Sequence, residues 1–227
     1  MLRARPTAAL ARRAVVRLSD LANVDFVQVG LSLAVLIMSL TVHEAAHAWA
    51  ANRLGDSTAR RLGRLSFNPL VHIDPVGTVL FPLMAFATGA PLIGWAKPVP
   101  VDFRYLTSPR RDFALIAAAG PISNLLMATA GAALFAAVYQ RGADLGIVAY
   151  GAYFFTMINV LLAVFNMIPV PPLDGGNVLM GVLPPALAIA FDRIRPYGIF
   201  VLYALMFSGV LFRVVRPVQA FILGWLL

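Results

Sequence analysis

Residues 26–51 read FVQVGLSLAVLIMSLTVHEAAHAWAA, and this stretch decides the architecture of the chain. It is apolar and uninterrupted as far as Thr41, and it is longer than the roughly 20 residues that a helix needs to cross the hydrocarbon of a bilayer. His43, Glu44 and His47 then appear inside it. A charged group at this depth costs about 2.5–3.5 kcal/mol unless a partner compensates it, and such groups mark functional sites. The stretch predicts a membrane helix that carries chemistry.

The composition of the whole chain agrees with a location in the bilayer. Of its 227 residues, 60% are hydrophobic and 12% are charged, and the mean hydropathy is +0.83. The net charge of +8 comes mainly from arginines in the loops and ends between apolar segments, which is the pattern of membrane flanks rather than of nucleic-acid binding. The chain has no cysteine, so a metal would have to be held by His, Asp or Glu.

The remaining apolar segments predict several further membrane elements. Residues 112–139, 147–168 and 197–227 are long enough to span, and the last of them is predicted to be broken at 213–217 into one span and a terminal piece. Residues 76–95 are punctuated by Gly and Pro, which favours a re-entrant pair of half-segments. Residues 96–103 have no helical period and predict an extended edge strand. We therefore predict an all-α polytopic membrane protein with about four to six transmembrane segments, one of them re-entrant or broken by Pro and Gly, and a short membrane-associated β element.

Two regions are distinguished by charge. Residues 1–25 form a basic N-terminal tail with five arginines, which we expect to be solvated or to lie on the membrane surface. Residues 26–227 are predicted to form a single membrane-embedded domain.

The HExxH pattern of His43 and His47 indicates a metal site. Two histidines four residues apart on a helix project from the same face within reach of one ion, with Glu44, the only glutamate of the chain, beside them. A catalytic zinc site normally has three protein ligands and an open position, so a third ligand must come from elsewhere. His72 and the nine aspartates are candidates. Asp174 stands out because it follows an apolar span and precedes two glycines, which permit a tight turn that aims the carboxylate inward.

Three segments together resemble the signatures of the site-2 protease family of intramembrane zinc metalloproteases. They are His43-Glu44-Ala45-Ala46-His47, Ala119-Gly120-Pro121-Ile122-Ser123-Asn124 and Asn166-Met167-Ile168-Pro169-Val170-Pro171-Pro172-Leu173-Asp174-Gly175-Gly176. Residues 68–77 and 94–99 further resemble the small bacterial branch of that family, which lacks PDZ and CBS domains.

The resemblance implies a zinc-dependent intramembrane endopeptidase with one Zn²⁺ per chain, held by His43, His47 and Asp174, and with Glu44 as the catalytic base. Its substrates would be single-span membrane proteins cleaved within or near their transmembrane segments, as in regulated intramembrane proteolysis. The enzyme would be located in the bacterial plasma membrane. We expect no nucleic-acid partner. Asn124 and Asn166 have two readings: hydrogen bonding between helices, or, as the resemblance suggests, contact with the substrate backbone.

Convergence of Asp174 on the histidines constrains the topology. The C-terminal ends of the first span and of 147–168 must then lie on the same side, which requires 76–95 to re-enter, or to cross twice, rather than to cross once. This topology also places Gly120 and Pro121 near the metal. Ten basic residues fall on the predicted site side, including eight in 52–111, against six on the other. This bias predicts a cytoplasmic site, although the five arginines of the tail favour the opposite orientation.

An alternative function is a proton- or cation-translocating transporter. An intramembrane cluster of His43, Glu44, His47 and Asp174 would suit an ion path. It would not explain the HExxH order or the Leu-Asp-Gly-Gly turn.

Overall fold

The computed structural model describes residues 26–88, 95–140 and 146–227. The basic tail predicted for 1–25 lies outside these residues, so the proposed division into tail and domain stays a prediction. Nine α-helices occur in the described ranges. They are α1 (Phe26–Arg53), α2 (Thr58–Arg61), α3 (Phe81–Thr88), α4 (Pro109–Gln140), α5 (Gly146–Asn166), α6 (Asp174–Val182), α7 (Pro185–Asp192), α8 (Gly198–Phe207) and α9 (Val210–Leu226).

Among the described residues, three helices are long and apolar enough to cross a membrane. They are α1 over Val27–Arg53, α4 over Pro109–Tyr139 and α5 over Gly146–Asn166. The pair formed by Pro185–Phe207 and Val210–Leu226 adds a fourth if it counts as one broken span. The predicted all-α polytopic class is confirmed. The described residues supply three spans, or four with the broken pair, against the four to six predicted.

The break in the last apolar region differs in position from the sequence-based expectation. We expected it at 213–217, around Pro217, but Pro217 lies inside α9. The two helices instead meet at an angle of 77° at Gly209, whose φ of 73° lies in the left-handed region that a side chain disfavours. Glycine, rather than proline, therefore ends the helix here.

The segment after the first span turns back on itself, as the re-entrant reading predicts. It starts as a π-helix over Pro75–Leu80 and continues into α3. Trp95 then lies beside the start of the segment: its backbone N–H donates to the carbonyl of Gly77 at 3.2 Å, and its carbonyl accepts a hydrogen bond from Thr78 Oγ1 at 2.7 Å. The described ends of the segment meet, so it does not cross the membrane once from side to side. Residues 89–94 lie outside the described residues.

Residues 95–102, which we call the strap, do not form the predicted β element. No strand occurs in the described parts of the chain, and the strap is irregular. The described parts of the chain supply no second strand to pair with it. Pro98 and Pro100 have no N–H to donate, which restricts such a backbone to the edge of a sheet.

The strap is nevertheless held firmly against the first span. The fully buried Asp56 accepts the backbone N–H of Asp102 at 2.7 Å. The buried guanidinium of Arg64 donates to the carbonyls of Lys97 and Pro98. These anchors place the middle of the strap over the C-terminal half of α1, where the candidate site lies.

The three spans pack against one another, and α4 makes the most extensive contacts with the other two, α1 and α5. α4 runs antiparallel to α1 and α5. The C-terminal ends of α1 and α5 and the N-terminal part of α4 therefore come together at one end of the bundle. α6 packs against the same part of α4. This arrangement brings the HExxH segment and the Leu-Asp-Gly-Gly turn to one place.

Candidate active site

Three predicted ligand atoms converge at the end of the bundle. His43 and His47 lie one turn apart on α1, with their Nε2 atoms 3.0 Å from each other. Asp174, the first residue of α6, places its Oδ2 3.2 Å from His43 Nε2 and 3.4 Å from His47 Nε2. Ligand atoms about 2.0–2.2 Å from a tetrahedral zinc lie roughly 3.3–3.5 Å apart, so the spacing suits one ion. The same three residues form a group able to hold a metal ion.

The glycines after Asp174 allow the start of α6 to approach the segment that follows α5 closely. A Cβ on Gly175 would lie 2.3 Å from the carbonyl oxygen of Met167, and one on Gly176 would lie 2.8 Å from the backbone nitrogen of Pro171. Both distances are too short for any side chain. The pair of glycines is therefore required to bring the Asp174 carboxylate inward, as the sequence suggested.

The hydrogen bonds on the far side of each imidazole orient the rings. His47 Nδ1 lies 2.7 Å from the carbonyl oxygen of Ile116, and His43 Nδ1 lies 2.6 Å from Asn124 Oδ1. A carbonyl oxygen only accepts, so each Nδ1 carries the proton and each Nε2 presents a lone pair toward the other ligands. Such outer partners are the usual support of metal-binding histidines.

The arrangement of acceptors fits a cation. Asp174 Oδ2 is buried and has no hydrogen-bond partner, and the two Nε2 lone pairs face it. Three electron-pair donors so close together repel one another unless a positive charge lies between them. Nitrogen and oxygen ligands in a set of three, with room for a fourth, are typical of catalytic zinc.

α4 leaves the space beside the ligands free of side-chain atoms. A Cβ on Gly120 would lie 2.4 Å from His47 Nε2 and 2.6 Å from His43 Nε2. Glycine at this position therefore keeps open the volume that an ion and its open coordination position need. The sequence-based topology had already placed Gly120 near the metal.

Glu44 lies in the same cavity as the three candidate ligands. The residue is buried, and its Oε2 accepts the backbone N–H of Val99, in the strap, at 3.2 Å. The cavity has a volume of about 630 Å³. Most of its wall is apolar, with contributions from Leu40, Phe113, Ile116, Leu162, Phe165 and Leu202. A carboxylate beside a metal site in an apolar cavity is placed to act as a general base.

The depth of these groups places the chemistry inside the span. With a rise of 1.5 Å per residue, His47 and His43 lie about 9 Å and 15 Å before the end of α1 at Arg53. These distances are about a third and a half of the roughly 30 Å thickness of the hydrocarbon core of a bilayer. The ligands therefore lie within the span rather than at its end.

Three further residues singled out in the sequence take distinct places. His72 lies in the loop, where its Nε2 donates to the carbonyl of Ser66 at 2.9 Å, and burial lowers its pKa, so the ring is neutral at neutral pH. It does not belong to the ligand group. Asn124 forms hydrogen bonds to side chains of the two neighbouring spans. Asn166 lines the cavity and donates a hydrogen bond to the carbonyl of Leu162 at 3.0 Å. A contact of Asn166 with substrate stays a prediction.

Sequence reasoning missed two buried polar residues beside the site. Ser39 and Asn159 are fully buried within α1 and α5 and join the hydrogen bonds around Asn124. An asparagine inside an otherwise apolar span is an available signal, because polar side chains in membrane helices usually bond to a neighbouring helix.

The fold and the site define a polytopic membrane protein with a cluster of side chains able to hold a metal ion and a carboxylate in the same apolar cavity. Comparison with known proteins agrees. Residues 136–209 match peptidase family M50. The chain is 36% identical over 178 residues to "Putative zinc metalloprotease YwhC" of Bacillus subtilis (strain 168), across 76% of this chain and 77% of that protein.

A second relative carries a similar name. The chain is 29% identical over 184 residues to "Putative zinc metalloprotease Rip2" of Mycolicibacterium smegmatis, across 81% of this chain and 69% of that protein. No solved structure matches the chain. The chain belongs to peptidase family M50, the site-2 protease family, and the resemblance seen in its motifs is confirmed.

Proposed function

We propose that the protein is an intramembrane zinc endopeptidase that hydrolyses peptide bonds within or near the transmembrane segments of single-span membrane proteins. The observation that carries the proposal is the meeting of three candidate ligand atoms within 3.4 Å of one another in the cavity that also holds Glu44. Membership of a family whose relatives are named zinc metalloproteases supports the identity of the metal.

The roles of the residues follow from their chemistry. His43, His47 and Asp174 would hold the ion, which when bound supplies a Lewis acid and lowers the pKa of water toward about 7. Glu44 takes the proton of the attacking water and passes it to the leaving amine. The apolar wall of the cavity keeps bulk water away and strengthens the electrostatic interactions inside it.

The strap supports an extended substrate beside the site. A transmembrane helix must unwind before its peptide bonds become accessible, and the freed backbone groups then need new partners. The strap is extended and has no partner strand in the described parts of the chain. We propose that an unwound substrate segment pairs with it by strand addition.

The function is tested by measuring zinc and cleavage together on the purified protein. We expect one zinc ion per chain and cleavage of a model single-span substrate in detergent or liposomes. Removal of the metal with 1,10-phenanthroline should abolish cleavage, and added zinc should restore it, because the ligand set is incomplete as a catalyst without its ion. Protein without bound zinc, or ion transport by zinc-free protein in liposomes, would contradict the proposal and favour the transporter.

We further propose that the site faces the cytoplasm of a bacterial cell, because most basic loop residues lie on its side. Reporter fusions at residues 60 and 143 test the orientation. A reporter active in the cytoplasm is expected to give signal at 60 and none at 143. The reverse pattern would place the site on the outer side.

A further inference from the structure

A continuous chain of buried hydrogen bonds connects the candidate ligand cluster to side chains on all three spans. Asn124, on α4, donates its Nδ2 to Asn159 Oδ1, on α5, at 2.7 Å. Asn159 Nδ2 donates to the carbonyl of Phe155 at 2.8 Å and to Ser39 Oγ, on α1, at 2.9 Å. Ser39, Asn124 and Asn159 all have an exposed fraction of 0%. With His43 at its other end, this chain of hydrogen bonds forms what we call the amide relay.

The relay has a direction that one backbone group imposes. The Phe155 carbonyl can only accept, so the Asn159 amide must turn its NH₂ toward it and its Oδ1 toward Asn124. Asn124 must then present its own NH₂ to Asn159 and its Oδ1 to His43. His43 therefore carries its proton on Nδ1, and its Nε2 lone pair faces the ligand cluster.

Asn124 alone does not determine this direction. A carboxamide has a donor end and an acceptor end of nearly the same shape, and rotation by half a turn would offer its NH₂ to His43 Nδ1. The ring would then accept at Nδ1 and place its proton on Nε2, where a metal must bind. The tautomer of His47 needs no such orienting group. Its Nδ1 lies against the backbone carbonyl of Ile116, which can only accept a hydrogen bond.

We infer that Asn159 is a positioning residue for the metal centre, which sets the metal-binding tautomer of His43 through Asn124. The inference rests on the metal-binding role of the proposed function. Asn159 does not line the cavity, and the hydrogen bonds of its side chain are to Asn124, Ser39 and Phe155. Its effect therefore passes through the amide of Asn124. Ser39 shares the Asn159 NH₂ with Phe155 but is not needed for the direction, since its hydroxyl can donate or accept.

The inference is tested on the zinc affinity of the apoprotein, measured by competition with a chromophoric chelator. Asn159→Leu removes the acceptor that orients Asn124, and we expect zinc affinity to fall about 10-fold, within the 10–100-fold range known for outer partners of metal-binding histidines. Ser39→Ala is the matched control, because it deletes a contact of the same NH₂ group, and its zinc affinity should stay within about threefold of wild type. Equal losses in the two variants would overturn the inference.

A second substitution distinguishes orientation from a general loss of packing. In Asn124→Asp both oxygens of the carboxylate accept hydrogen bonds, so either orientation presents an acceptor to His43 Nδ1. The tautomer of His43 then no longer depends on residue 159. The double variant Asn124→Asp/Asn159→Leu is therefore expected to bind zinc within about threefold of wild type. A double variant that fails to fold, or binds zinc as weakly as Asn159→Leu, would overturn the inference.

The outcomes also separate this inference from the proposed function. A wild-type protein that binds no zinc would remove the proposed function and the inference with it. A wild-type protein that binds zinc and a folded Asn159→Leu protein that binds it equally well would remove only the inference.

Discussion

Glu44→Gln is expected to keep one zinc ion per chain and to lose about 10²–10⁴-fold in peptidase activity, the range that a positioned general base contributes. The amide has nearly the shape of the carboxylate but cannot take a proton from water at neutral pH. Its oxygen can still accept the N–H of Val99, which Glu44 Oε2 accepts at 3.2 Å, so the strap should stay in place. Zinc content and cleavage of a model single-span substrate are measured on the same preparation.

A matched control for this substitution is Asp192→Asn, which removes one negative charge from the surface, outside the cavity that holds Glu44. Asp192 lies at the end of α7 and pairs with Arg195 at 2.7 Å at the surface, where an ion pair contributes little. Its activity should be close to that of wild type. A Glu44→Gln protein with full peptidase activity would show that Glu44 is not the base, whatever its zinc content.

Gly120→Ala is expected to prevent zinc binding although it adds only one methyl group. The new Cβ would lie 2.4 Å from His47 Nε2 and 2.6 Å from His43 Nε2, within the volume that the ion needs. We expect zinc affinity to fall by more than about 100-fold, beyond the usual effect of losing an outer partner. Poor helix formation cannot account for such a loss, because alanine is the better helix former by about 1 kcal/mol.

The control for Gly120→Ala is the same substitution on another span. Gly30 lies on α1, where a methyl group added to its Cα would have nothing within 4 Å, so Gly30→Ala should keep its zinc and its activity. Zinc affinity is measured by chelator competition on both proteins. A Gly120→Ala protein that binds zinc like wild type would show that His43 and His47 do not aim their Nε2 atoms at the face of α4 that carries Gly120.

The two substitutions test different links between structure and function. Glu44→Gln removes a proton acceptor and leaves the ligands, whereas Gly120→Ala leaves every titratable group and removes the space between them. Activity is lost in both, but zinc is lost in only one. Together with the proposed effect of Asn159→Leu, they separate the base, the volume of the site and the orientation of its ligands.

Much of the fold was predictable because hydropathy and helical spacing are local properties. The long apolar runs predicted membrane helices, and the four-residue spacing of His43 and His47 predicted that both imidazoles share one face of α1. The Gly and Pro content of 76–95 predicted a segment that does not simply cross, and Trp95 does return to Gly77. The position of the last break was predicted wrongly, because a proline can lie within a helix while a glycine with positive φ ends one.

The extended strap shows a different limit. Its sequence predicted extended backbone, but a strand exists only when a second strand supplies partners for its N–H and C=O groups. Its backbone instead bonds to side chains and carbonyls scattered along α1 and the segments after it. These partners are the side chains of Glu44, Asp56, Arg64 and Thr78 and the carbonyls of His72 and Gly77. No local pattern indicates such a set.

By itself, the sequence determined that this is a membrane protein with an HExxH helix and that Asp174 is the best candidate for a third ligand, since composition, periodicity and turn chemistry are written in neighbouring residues. Only the tertiary structure decided that Asp174 lies 3.2 Å from His43, that Gly120 leaves the space between the ligands open, and that the Asn124 amide hydrogen-bonds to Asn159. Each of these depends on contacts between helices that are far apart in the chain, and such contacts arise only when α1, α4 and α5 pack together.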